Sequence, residues 1–428
     1  MALLLLLAVL VAPQGSRAPV PARQLDCETL LERIGERRLP REERMAYLEE
    51  LAVRGQALEF DAVHRIRGSV RGEFLVDYVR CLSLCGSEAL PELRKLLKRH
   101  DPAVTAEAVY AVTRLDAAGG ESYAKQVLAD PRAPVEARVA ALRGLDARRS
   151  VFARVEALRR LGRAEGPLLI ECLQVLRRNP ELQDAPYLVE LLHRREGRPA
   201  NEAVRLLQKL TGYKIGRDPR AWRFWMLKHR AQGTAFRAAE DAPGEAGTET
   251  ITYLGIPILG EKVVFVLDSS GSMETPLPEH TALTRGARAV QELIGLLPRL
   301  PERAAFDVVF FQTDVESYAR KLVPRSEENL LEIIAWLRRH AFTGGTNLHD
   351  GLRQAFEHDG VEEIFLLSDG EPTVGELIEP GRIEARVRRW NRWRNVRVNT
   401  ISFGAPPEAR NFLYRLAQAH DGVCRVIW

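Results

Sequence analysis

Asp268, Ser270 and Ser272 alternate in the run Asp268-Ser269-Ser270-Gly271-Ser272, directly after the apolar stretch Val263-Val264-Phe265-Val266-Leu267. One carboxylate and two hydroxyls are hard oxygen donors, a set that suits Mg²⁺ or Mn²⁺ and suits zinc poorly. The spacing alone is weak, because aspartate and serine are common residues. Its position carries the argument. The apolar stretch fits a strand buried on both faces, as in the middle of a parallel sheet. Serine and glycine then break it, so Asp268 stands at the strand's carboxyl end, where open α/β sheets place their ligand sites. A loop there can turn the alternate side chains toward one point.

Two later segments supply further donors. Phe342-Thr343-Gly344-Gly345-Thr346-Asn347-Leu348 carries two glycines that let the backbone approach closely, then a threonine that opens the helical pattern Leu348, Leu352, Ala355, Phe356. Ile364-Phe365-Leu366-Leu367-Ser368-Asp369-Gly370 is a second buried strand ending in an aspartate and a glycine. Three loops at one sheet edge would then offer Asp268, Ser270, Ser272, Thr346 and Asp369.

At D-x-S-G-S (268–272), G-G-T-N-L (344–348) and L-S-D-G (367–370) the chain resembles the von Willebrand factor A domain with its metal-ion-dependent adhesion site. The resemblance covers residues 251–428. It implies that the residues matching Asp268, Ser270, Ser272 and Thr346 hold a divalent cation directly or through water, and that Asp369 acts through water. With Asp369 in that role, the cation is under-neutralised and keeps a position for an outside ligand. In the family that ligand is an Asp or Glu of a partner protein, and the resemblance implies the same here. His349 is expected on the helix surface beside the site, not as a ligand.

The elements that must position these residues are read from periodicity. A helix is expected over 281–297, stopped by Pro298, a strand over 306–311, and a helix striped by Leu330, Ile333, Ile334 and Leu337. Residues 396–403 read as a strand whose alternate residues Arg397 and Asn399 leave its start exposed on one face. A last helix carries Phe412, Leu413, Leu416 and Ala417 before a closing strand over 423–428. Together these give a Rossmann-like, doubly wound α/β domain with a mainly parallel sheet.

The preceding residues differ in kind. From 41 to about 230 one helical pattern follows another, and Asp101-Pro102 and Asp130-Pro131 read as helix starts. Laying Val104 on Val135 matches Ala106 to Ala137, a repeat of about 31 residues close to the short end of helical-pair solenoids. We therefore expect an all-α, HEAT-like repeat domain over 23–231, closed by Trp222 and Trp225 packed on its core. An Ala-, Gly- and Glu-rich linker is expected over 232–250, and the α/β domain over 251–428. The array offers a second surface for protein partners.

Composition narrows the classes. A net charge of +4 over 428 residues gives no polyanion-binding signal. The arginines of 382–397 interleave with Trp390 and Trp393, but Ile383, Val387 and Trp390 fall on one helical face, so this reads as an amphipathic outer helix without nucleic acid. Five cysteines make no disulfide framework, and Cys81 and Cys85 read as buried thiols. Residues 2–12 form a leucine-rich run of secretory h-region length, too short to span a bilayer, followed by small residues to about 22. No Lys or Arg precedes it, so an uncleaved anchor stays open. The expected location is secreted or periplasmic, at the cell envelope.

The reading is a non-enzymatic binding protein whose metal site engages a carboxylate of a partner. An intracellular assembly factor serving a separate ATPase complex is the alternative; the chain carries no P-loop of its own. A metal-dependent hydrolase is a third reading, against which stand the lack of an obvious general base, second metal shell or activated nucleophile.

Overall fold

In a computed structural model, the described residues are 22–99, 101–232, 251–277 and 280–427. They fall into two compact units divided between Leu93 and Arg94. The first is helical: α1 (Cys27–Gly35), α2 (Arg41–Arg54), α3 (Phe60–Arg65), α4 (Leu75–Leu84) and the start of α5 (Leu90–Leu96). Asp26 caps α1 by accepting from Thr29 N at 2.7 Å, and Gly55 ends α2 at φ +66°. Leu30, Ile34, Leu48, Val63, Val79 and Leu82 form its buried interior.

The second unit opens with more helices: α6 (Pro102–Leu115), α7 (Gly120–Ala129), α8 (Val135–Ala147), α9 (Val151–Arg160), α10 (Gly166–Arg178), α11 (Ala185–Arg194), α12 (Gly197–Thr211) and α13 (Pro219–Gln232). Asp101 caps α6 as expected, whereas α8 begins after Pro134 and Asp130 instead holds the turn before it through Arg132 N. Trp222 and Trp225 are buried in the helical core, edge to face at 6.1 Å. No strand occurs among the described residues before Thr252. The expected linker (from 233) and the apolar run at 2–12 lie outside the described residues.

The remaining residues form an α/β domain. After the short hairpin β1 (Thr252–Tyr253) and β2 (Ile256–Pro257) come β3 (Lys262–Asp268), the pair β4 (Pro276–Leu277) and β5 (His280–Thr284), and α14 (Arg285–Leu296). Then follow β6 (Ala305–Phe311), β7 (Val315–Ser317), β8 (Val323–Pro324), α15 (Glu327–Arg339), α16 (Leu348–Glu357), β9 (Glu363–Ser368), α17 (Pro380–Asn391), β10 (Arg397–Phe403), α18 (Pro407–Ala419) and β11 (Cys424–Ile427). The strand order is β11-β10-β9-β3-β6-β7, parallel from β11 to β6, with β7 and β8 antiparallel to β6.

Alternation along β3 explains why its apolar run has no polar face. Val263, Phe265 and Leu267 pack with Leu293 of α14 and Ile333 of α15, whereas Val264 and Val266 pack with Leu352 of α16 and Ile383 of α17. Helices therefore cover both faces. Because β3 leads by way of α14 to β6 on one side and pairs with β9 on the other, the chain's direction of winding reverses beside β3. The carboxyl ends of β3 and β9 flank that reversal, the place where such sheets form a binding crevice.

Three further expectations are corrected. Residues 280–284 are a strand, so the helix expected from 281 starts at Arg285. Arg397 and Asn399 are buried, 2 % and 0 % exposed, because Asn399 Nδ2 donates to Glu363 Oε1 at 2.8 Å and Arg397 lies 3.7 Å from the same carboxylate. Nor does the end of the arginine-rich segment face solvent. Trp393 joins the core of the helical array, and the Arg392 guanidinium lies over it and pairs with Glu107 of α6.

The helical array meets the sheet at the strands' amino ends. Arg198 of α12 donates to the carbonyls of Glu362 (3.0 Å) and Asn395, the residues leading into β9 and β10. Arg143 of α8 donates to Asn395 Oδ1 at 2.9 Å and pairs with the buried Glu171 of α10. Asn201 Nδ2 donates to Leu259 O at 3.3 Å, just before β3.

Candidate metal centre

At the opposite, carboxyl edge, Asp268 is fully buried. Its Oδ1 accepts from Ser270 N at 2.9 Å and its Oδ2 from Ser368 Oγ at 2.6 Å, which fixes the carboxylate against the end of β9. Burial pushes its carboxyl up to about 6, and the Asp369 charge adds to this, while the bonds from Ser270 and Ser368 pull the other way. Ser270 Oγ lies 3.1 Å from Ser272 Oγ, and Ser272 Oγ donates to Asp369 Oδ1 at 2.7 Å. Four of the five expected donors thus form one hydrogen-bonded chain.

The loop of Thr346 is held against this chain through its backbone. Gly271 N donates to Gly344 O at 3.1 Å, and Thr343 N to Ser269 O at 2.8 Å. Thr346 N donates to Thr373 Oγ1 at 2.8 Å, and Asn347 caps α16 by accepting from Asp350 N. Thr346 therefore does not open that helix itself. Gly344 has φ +76°, and a Cβ there would lie 2.7 Å from Thr313 Oγ1. A Cβ on Gly345 would lie 3.0 Å from Thr373 Oγ1, so space constrains the second glycine. Ser272 is exposed, whereas Ser270, Thr346 and Asp369 are 2 %, 5 % and 3 % exposed, so the cluster is a buried floor with one open side.

The donor set fits a small hard cation. Adjacent ligands of an octahedron with bonds of about 2.1 Å are about 3 Å apart, and the Ser270–Ser272 and Ser272–Asp369 oxygens are 3.1 and 2.7 Å apart. The side chains of all five candidate ligands offer oxygen.

Two features were not expected. Arg285, the first residue of α14, donates from Nη1 to Asp369 Oδ2 at 2.7 Å. Sequence reasoning missed it because a helix begun at 281 places Arg285 past the first turn, where a cation meets little of the helix dipole. His349 is fully buried rather than on the helix surface. Its Nδ1 lies 2.9 Å from Asp350 Oδ1, and burial lowers its pKa. His349, Asp350 and Glu376 offer ligand atoms within 4.8 Å of one another. Arg353 lies 3.3 Å from Asp350 and 2.7 Å from Glu376, so a guanidinium already pairs with both carboxylates.

Residues 261–426 match the family profile of the von Willebrand factor type A domain, and the α/β part of the chain is such a domain. The chain is 32 % identical over 146 residues to inter-alpha-trypsin inhibitor heavy chain H4 of Homo sapiens, covering 31 % of this chain and 15 % of that protein. It is 30 % identical over 182 residues to heavy chain H1 of Mesocricetus auratus, covering 40 % and 19 %. The chain thus spans less than a fifth of the length of either relative. Among solved structures, a von Willebrand factor type A protein from Catenulispora acidiphila aligns over 40 % of each chain at 20 % identity and a TM-score of 0.34.

Proposed function

We propose that Asp268, Ser270, Ser272, Thr346 and Asp369 hold Mg²⁺ or Mn²⁺ and that this site engages an acidic residue of a partner protein. The observation that carries the reading is the linked run of oxygen donors from Asp268 through Ser270 and Ser272 to Asp369, gathered at the crevice between β3 and β9. When bound, the cation supplies a Lewis-acidic point with room for an outside carboxylate. The chain's own groups do the positioning. Ser368 and Ser270 N orient Asp268, Ser272 orients Asp369, and Gly344 brings the Thr346 loop against both.

The role is binding without catalysis, and the array is a further surface on which partners can dock. We also propose export, with 2–12 as the secretory segment. No helix among the described residues is long and apolar enough to cross a membrane.

The test is recovery of a partner from extract of the source organism, with Mg²⁺ or with excess chelator. Recovery should need the metal, fail with Asp268→Ala, and be weakened by Thr346→Ala more than metal affinity is. Equal recovery in excess chelator contradicts the reading and moves attention to the helical array.

A further inference from the structure

Arg285 is held in place from several sides. Thr284 caps its helix by accepting from Ala287 N at 3.2 Å, and Arg285 N donates to Thr275 O at 3.1 Å. Its side chain is 21 % exposed and runs past the end of β10, where a Cβ on Gly404 would lie 2.7 Å from Nη2. Gly404 has φ +55°, so glycine there satisfies both the backbone and the guanidinium. At its end, Nη1 donates to Asp369 Oδ2 while Ser272 donates to Oδ1, so each oxygen of this carboxylate already has a partner.

The consequence is electrostatic. Asp268 and Asp369 bring two negative charges to the site, and Arg285 brings one positive charge within hydrogen-bonding distance of Asp369. With a divalent cation the site therefore keeps one net positive charge, whereas without Arg285 it would be neutral. Beside a largely buried site such a charge is weakly screened.

We propose that Arg285 is a specificity-determining residue of the metal site: it weakens capture of the bare cation and makes capture depend on an accompanying external carboxylate. The inference rests on the metal reading above. Ser270, Ser272 and Thr346 are neutral donors and cannot supply this coupling, so a rigidly placed cation beside Asp369 is the element that can.

The test is calorimetric titration of the full chain with Mn²⁺, with and without acetate as the carboxylate probe. Arg285→Gln should bind Mn²⁺ about tenfold more tightly than wild type, the order expected for removing one like charge at this distance. It should also lose most of the gain that acetate gives wild type. Arg285→Lys, which keeps the charge, should stay within about threefold of wild type, and far-UV circular dichroism checks that each variant is folded. Equal or weaker Mn²⁺ binding by folded Arg285→Gln overturns the inference and leaves the metal reading standing. Should wild type bind no better than Asp268→Ala, the metal reading fails and the inference fails with it.

Discussion

At their amino ends, β9 and β10 meet guanidinium groups of the helical array and β3 meets the Asn201 amide; at their carboxyl ends, β3 and β9 present Asp268, Ser368 and the turn to Asp369. Both edges are rich in buried polar groups, yet their charges are balanced differently. At the amino edge Glu171 is fully buried between Arg143 and Arg178, and Arg198 is spent on two backbone carbonyls. At the carboxyl edge there are two buried carboxylates and one guanidinium, which bonds Asp369 alone, and hydroxyls are the other side-chain partners. An edge whose carboxylate is enclosed by guanidinium groups holds parts together. An edge left one positive charge short is suited to receiving a cation.

Substitutions should separate the two edges. The largest effect is expected for Glu171→Ala, which strips the carboxylate partner from Arg143 at the seam and one of two from Arg178. Burial opposes the charge of Glu171, but the two arginines hold its carboxyl below the usual range. Removing one member of such a pair costs about 3–5 kcal/mol. Urea unfolding should register that loss while Mn²⁺ affinity stays at the wild-type value; a matching loss of affinity would break the separation.

His420, also near the amino end of β10, gives the seam a pH dependence. Asn391 Oδ1 accepts from Val396 N, so Asn391 Nδ2 donates to His420 Nδ1 and the imidazole is held neutral. Burial, and then the Arg388 charge, lower its pKa from 6.5 to about 4. The unfolded chain binds this proton more readily, so the stability is fully present above pH 6.5 and is lost as pH falls toward 4. The loss is about 3 kcal/mol over that window. His420→Gln should flatten the profile of unfolding free energy between those limits, and an unchanged slope would remove His420 as the cause.

Smaller effects are expected at the carboxyl edge. Gly344→Ala forces a side chain into φ +76° against Thr313 and should cost about 1–2 kcal/mol in urea unfolding. Asp268→Asn should change stability by less than about 1 kcal/mol. Its Oδ1 still accepts from Ser270 N, the Ser368 hydroxyl can rotate to accept from the new amide, and a fully buried carboxylate is no asset to the fold without a cation. A loss as large as that of Glu171→Ala would make Asp268 a structural residue like those of the seam.

What the sequence made legible follows from locality. Asp268, Ser270 and Ser272 share one turn after an apolar run, and Asp369 ends another, so strand position and residue type sufficed to nominate them. Thr346 was found through the glycines beside it, although the helix cap proved to be Asn347. Arg285 went unread because its meaning depends on β9, a neighbour reached only in three dimensions. Arg397 and Asn399 were misplaced for the same reason: alternation says which residues share a face, but Glu363 on the adjacent strand decides what that face meets. Arg392 and Trp393 looked like the end of an outer helix, and only the array reveals what covers them.

The most direct measurement is Mn²⁺ titration by calorimetry of the wild-type chain against Asp268→Asn, with urea unfolding run on both. The account predicts saturable binding to wild type, with Mg²⁺ competing for the same site, and no detectable binding to a variant of near wild-type stability. Equal affinity in the two proteins would contradict it.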